Sequence, residues 1–485
     1  MKKKLLLSLI LLFSFIGIYR AQTEPVITQW LQNNTIEGRF YTNGNSTPQS
    51  NNILANVQSV HYDSDYVYIK TTGVPSYITG PFLDGNIDSA SDVEAIYQLP
   101  LTPSVSTTET VTSIGTNGVF INGVAIFDWQ DTVVWDNDNQ VLCGGPIGNC
   151  TTTGGGPGGG PGGPGGSGGG PGGGTTTTYD WNRDAIPAEL GGFDCAKGHP
   201  ANGTYHHHQN PTAFNLDLQV ISDICDTYPA DGLYVINNQV HSPIIGYAYD
   251  GYPIYGPYAY LNTNGTGAIT RMKSSYSIDN TLATGDPRVN GPDIDEEYTY
   301  DNTHLGVEVT EVFINGYFKE DYSYTVNSAS DYLDEHNGRF CITPEYPNGT
   351  YAYFATVDEN HNSVFPYLIG PTYYGEVVGT NVASIPSSAT QYTLNVTSFD
   401  EKRLDLSVYP NPAKDFIAIQ SNNLQTSTLK IDLINELGQV VLSSQIYQGS
   451  TLSIIETHTL YNGIYFVKVS NGNEITKTYK VVINK

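Results

Sequence analysis

Charge is scarce in this sequence, and one sign dominates it. Only 14% of the 485 residues are Asp, Glu, Lys or Arg, against about 25% in an average soluble protein. Residues 22–400 hold nine Lys and Arg against 41 Asp and Glu, whereas 401–485 hold eight against seven. A body this poor in cations argues against a nucleic-acid partner, because affinity for the phosphate backbone comes from Lys and Arg. It allows cation binding, although a solvated acidic surface is the simpler meaning of such a balance. Long apolar runs are also missing. The longest, Leu5–Ile18, has 14 residues and falls short of the ~20 that a spanning helix needs. It follows Lys2-Lys3-Lys4, so residues 1–21 read as a secretory signal peptide ending at Ala21. The mature chain is then expected to carry no transmembrane helix.

Cysteine is sparse, with five residues and no Cys-x-x-Cys pair, which argues against a structural zinc ribbon. Export permits disulfides. Cys143 with Cys150 and Cys195 with Cys225 are candidate pairs, leaving Cys341 as a free thiol or metal thiolate, and the odd count leaves connectivity open. No His-Glu-x-x-His helix or phosphate-binding glycine loop occurs.

Aromatics and turn formers fill the space that charge leaves. There are 36 Tyr and 51 Gly, a composition suited to strands and turns. Val57–Tyr62 and Tyr66–Thr71 read as strands around an Asp-Ser-Asp turn, and Val119–Phe127 as a hairpin with Asn122-Gly123 at its tip. Tyr247–Tyr258 reads as a Tyr-dense hairpin turning at Asp250-Gly251. Residues 144–178 are rich in Gly, Pro, Ser and Thr and read as a flexible tether. Residues 404–485 alternate as short strands between turn signals, as in a small Ig-like β-sandwich. Two weak echoes suggest duplication: Val119–Gly123 recurs at Val312–Gly316, and Gly203-Thr-Tyr-His-His-His at Gly349-Thr-Tyr-Ala-Tyr-Phe.

The densest chemistry lies in Gly203-Thr-Tyr205-His206-His207-His208-Gln-Asn-Pro211, preceded by Gly198-His199-Pro. On a strand, alternate side chains share a face, so His206 and His208 point together, with Tyr205 and His207 opposite. His206, His208 and His199 are the leading metal candidates, with His207, His241 and His336 weaker. Three imidazoles suit zinc or copper. The acidic loop 285–297 could hold calcium but lacks the EF-hand pattern. Asp250, Asp334 and Glu335 are weak candidates for acid/base residues beside His206 or His208. Exposed Tyr and Asn would alternatively suit an adhesin that recognises glycan or protein.

Tyr205-His206-His207-His208 resembles the Tyr-His-Tyr-His motif of the YHYH domain family, with His in the third position. Four flanking stretches also resemble that family: Gly198-His199-Pro-x-x-Gly203, His241–Pro257, Leu333–Arg339 and Thr343–Phe354. The likeness covers most of residues 25–380 and implies one β-rich domain, in an N-terminal part 22–143 and a motif-bearing part 179–398, interrupted by 144–178. The name implies no particular reaction. Val408-Tyr-Pro-Asn-Pro-Ala-Lys-Asp415, Gly438–Val441, Leu460–Val469 and the Lys-rich end resemble the type A C-terminal sorting domain of type IX secretion. That resemblance implies a Gram-negative host of the Bacteroidetes type. It also implies passage through the Sec and type IX translocons, removal of the tail by a sortase, and release or attachment to surface lipopolysaccharide.

Overall fold

Runs rich in β-branched and aromatic residues, punctuated by Asn-Gly and Asp-Gly, become strands joined by tight turns throughout the molecule. The computed structural model describes residues 24–83, 89–137, 141–145, 181–218, 222–278, 292, 314–393, 406–421, 425, 428–435, 437–471 and 474–485. The expected leader, nearly all of the Gly/Pro-rich run, Cys150 and all but residue 292 of the acidic loop lie outside them. The fold is mostly β, and its few helices are short. No described helix is long and apolar enough to cross a membrane.

Eight strands form the sheet that positions the histidines. They are β1 (Thr116–Phe120), β2 (Ala125–Phe127), β3 (His199–Ala201), β4 (Thr204–His207), β5 (Ile244–Ala248), β6 (Pro253–Tyr255), β7 (Gly338–Cys341) and β8 (Thr350–Phe354). Their order is β3-β4-β2-β1-β5-β6-β8-β7. The two halves mirror one another about the antiparallel β1–β5 pair. In each, an inner hairpin (β1–β2 or β5–β6) pairs in parallel with the second strand of an outer hairpin (β3–β4 or β7–β8).

Both faces of this sheet are covered over most of its length, and Phe340 on the edge strand β7 is the exposed exception. One face packs Val119, Tyr247, Tyr255, Ala352 and Phe354 against strands 57–62, 66–71 and 95–100 of a five-stranded sheet. The other packs Phe120, Ile126, Tyr205, Ile254, Tyr351 and Tyr353 against Phe193, Phe214 and Leu233. Strands 141–144 and 181–184, from either side of the Gly/Pro-rich run, both pair with strand 130–136. The C-terminal strands form a three-stranded and a four-stranded sheet around a core that includes Ile417, Ile419, Leu433, Val467 and Val481.

The repeat extends to the turns that lead into the outer hairpins. In Asp194–Gly198, Gly198 N–H donates to Asp194 Oδ1 at 3.1 Å and the Tyr205 hydroxyl reaches the same carboxylate at 3.0 Å. In Asp334–Gly338, Gly338 N–H donates to Asp334 Oδ1 at 3.1 Å and Tyr351 donates to it at 2.8 Å. Lys197 and Asn337 both have φ of 65°. A Cβ on Gly198 would lie 2.4 Å from the Tyr205 hydroxyl, and one on Gly338 would lie 2.4 Å from that of Tyr351. Only glycine fits under either ring. The echo of 203–208 at 349–354 thus lies on the structural repeat, in β4 and β8. The echo of Val119–Gly123 at Val312–Gly316 does not: the counterpart of β1–β2 is β5–β6, whereas 312 and 313 lie outside the described residues and Asn315-Gly316 forms a turn.

Candidate metal centre

The geometry begins with a two-residue turn. Asn202 and Gly203 both have positive φ, 50° and 88°, as a type I′ hairpin requires. That turn sets the register of β3 against β4 and places His199 opposite His206. His208 lies two residues beyond His206 and shares its face. The three rings therefore converge, with centroids 4.6 Å apart for His199–His206, 4.8 Å for His206–His208 and 5.7 Å for His199–His208. One ligand atom from each lies within 4.8 Å of the others, and all three residues are buried. Phe127 stacks on His206 at 3.8 Å, and Phe193 meets His199 edge-on at 4.8 Å. These rings keep the imidazoles dry and limit their rotation.

Backbone carbonyls select the tautomers. His206 Nδ1 lies 3.0 Å from Thr204 O, and His208 Nδ1 bonds Asp128 O. A carbonyl oxygen can only accept, so both Nδ1 atoms carry the proton, and in the neutral rings both Nε2 atoms present lone pairs. Those two Nε2 atoms lie 3.0 Å apart. Two lone pairs held that close repel unless a cation or a proton lies between or beside them. His206 resists the proton. Burial, followed by the neighbouring His199 and His208, pushes His206 well below the usual histidine range. A ring whose far N–H is anchored on a carbonyl is the usual arrangement of a metal-bound histidine.

A carboxylate reaches the cluster from a place without any sequence signal. The short helix Ala185–Glu189 is capped by the Asp184 carboxylate, which accepts from Ile186 N–H at 2.9 Å. Its last residue, Glu189, brings Oε2 to 3.2 Å from both His199 Nε2 and His208 Nε2. Burial works to raise this carboxyl, but His199 and His208 outweigh it and hold Glu189 well below its ordinary value. Its side chain is 25% exposed, against 6% for His199 and 3% for His208. The Oε2 atom that faces the imidazoles is itself buried.

The opposite face of β4 has a different task. His207 donates from Nδ1 to Lys197 O at 2.9 Å and accepts at Nε2 from the Tyr77 hydroxyl at 2.6 Å. Burial lowers its pKa to about 3, so it is a neutral link between the 194–198 turn and Tyr77. Cys195 is disulfide-bonded to Cys225 and ties that same turn down. Cys143 is also disulfide-bonded. Cys341 is free and buried on β7, apart from the histidine cluster.

The other candidates lie elsewhere. His241 donates to Ser242 O at 2.8 Å and packs against Tyr255 and Tyr260. His336 Nδ1 lies 2.8 Å from Thr372 Oγ1. Asp250, Asp334 and Glu335, the acid/base candidates, make their contacts away from His206 and His208. Asp250 accepts from the Tyr353 hydroxyl at 2.5 Å and from Gly375 N–H at 2.9 Å, holding the other half of the sheet together. Asp334 is the turn acceptor described above, and Glu335 is exposed beside His336. The carboxylate that does approach the histidines is Glu189.

Residues 96–365, more than half of the chain, match the YHYH protein family. Residues 407–484 match the secretion system C-terminal sorting domain. Such a domain marks a chain for export to the cell surface or the medium. No curated protein matches the sequence.

Proposed function

This chain belongs to the YHYH protein family, and from that premise we propose that it is an exported module that holds one divalent metal ion on His199, His206, His208 and Glu189. The observation that carries this reading is the pair of buried Nε2 lone pairs 3.0 Å apart, with each far N–H anchored on a carbonyl. Three imidazoles and one carboxylate suit Zn²⁺ or Cu²⁺. They do not suit Ca²⁺, which takes six to eight oxygen ligands. Bound there, the ion would join β3 and β4 to the helix that bears Glu189 and would supply Lewis acidity. The Gly/Pro-rich run 144–178 is read as an insertion within this module. Residues 404–485 are read as the part handled by the type IX translocon and sortase.

The test is elemental analysis of the purified protein beside the double variant His206→Ala/His208→Ala. Both would be stripped with chelator, reloaded with Zn²⁺ or Cu²⁺ and dialysed. About one equivalent of metal in the parent and none in the variant is the expected result. Equal metal in the two, or none in either, would refute the reading.

A further inference from the structure

A second feature, independent of the metal reading, borders the half of the sheet that lacks the histidine cluster. Strands 276–278 and 322–324 form a two-stranded ribbon in which Tyr276 pairs with Tyr324. Tyr322 and Tyr324 are two residues apart and share a face. With Tyr276 they line one side of a cleft of about 540 Å³. A second ribbon, strands 105–111 and 372–375, supplies Tyr374, Glu109 and a row of Ser and Thr hydroxyls. Glu335 and Lys319 also face the cleft. The volume falls within the usual range of ligand sites.

The walls are preformed. Tyr322 stacks on Phe365 at 4.3 Å, and Tyr374 stacks on Tyr351 at 3.6 Å, nearly parallel. Tyr276 donates to the Glu335 carbonyl at 2.8 Å. A ligand would therefore meet flat, partly exposed rings with little ordering cost. The charge balance selects its chemistry. Two carboxylates, a single Lys and His336 do not form the cationic fork that phosphate or sulfate requires. Hydroxyl-lined walls do not suit a lipid chain. A ligand with C–H faces for the tyrosine rings and hydroxyl donors for Glu109 and Glu335 fits both features. We propose that this cleft binds a neutral oligosaccharide.

The experiment is calorimetric titration of the full chain, in EDTA, with cellohexaose, xylohexaose, maltohexaose and chitohexaose, and with oligogalacturonate as the acidic control. Saturable binding of at least one neutral sugar is expected, weakened tenfold or more by Tyr324→Ala and by Glu335→Gln. Glu335→Gln alters one exposed side chain, so it separates lost recognition from lost folding. The variant His206→Ala/His208→Ala should bind the sugar as the parent does, which keeps this result apart from the metal test. Binding of none of the four, binding that neither cleft variant weakens, or preference for oligogalacturonate would overturn the proposal.

Discussion

Where β4 places His206 and His208, β8 places Ala352 and Phe354; where β3 places His199, β7 places Arg339. The backbones of the two halves correspond strand for strand, so the difference isolates what the side chains do. In the second half Arg339 satisfies itself on the carbonyls of Tyr260, Leu261 and Ser330, with its guanidinium 5.6 Å from the centre of the Phe354 ring. Among the described residues no group of three metal-ligating side chains gathers there. The first half leaves two imidazole Nε2 atoms facing each other, an arrangement that is costly without a cation or a shared proton. The second half shows that this scaffold can close the same position as an ordinary core. The proposed metal site accounts for this difference between the halves.

The strongest way to break that comparison is to convert one half into the other. His199→Arg, His206→Ala and His208→Phe combined should abolish metal retention, at least a 1,000-fold loss or about 4 kcal/mol of binding, while the far-ultraviolet spectrum stays β-rich. Metal retained by that variant would show that the ion sits elsewhere. In the other half, Phe354→Ala removes a fully buried ring and should cost ~3–5 kcal/mol in denaturant unfolding. A much smaller cost would mean that the second half is not the packed core described here. Glu189→Gln keeps shape and removes charge, and should weaken Zn²⁺ binding about 10–100-fold in competition with a chelating dye. An unchanged affinity would leave three imidazoles as the complete site.

Acid should act on the second half as well. Burial lowers His241 to about 4, below its unfolded value near 6.5. Its folded state therefore resists a proton that the unfolded state accepts, so its contribution is whole above pH ~6.5 and is lost as pH falls toward 4. His241→Gln should flatten the fall in Tm over that window relative to the parent, and identical slopes would exclude this residue as the cause. The smallest effect concerns the outer turns. Gly203 and Gly349 have φ of 88° and 87°, so alanine at either should cost ~1 kcal/mol. Gly349→Ala should cost more, because a Cβ there would lie 2.8 Å from the Phe340 ring. Equal costs would show that the ring moves aside freely.

Local signals were legible where short-range chemistry settles them. Asn122-Gly123 and Asp250-Gly251 mark hairpins because positive φ is cheap at those residues, and the alternation of a strand puts His206 and His208 on one face. The repeat was only half legible. Tyr205 and Tyr351 share an obvious local pattern, but β1–β2 and β5–β6 share little beyond a turn and an Ile, and a stronger literal match at 312–316 pointed away from the true counterpart. Asp250 and Asp334 looked available for chemistry because a carboxylate in sequence shows nothing of the tyrosine that occupies it. Glu189 gave no signal at all, since one Glu at the end of a five-residue helix resembles any other.

The mostly β character, the turns, the shared face of His206 and His208, and the family and sorting-domain membership can be read from the chain alone. All of these rest on contacts between near neighbours in the chain or on contiguous patterns. Folding in space brings β4 into parallel pairing with β2, sets the Asp128 carbonyl and the Phe127 ring against the imidazoles, and carries Glu189 to His199 and His208. Each of those joins groups far apart in sequence or set by backbone path, where long-range burial and pairing, rather than local preference, select the partner.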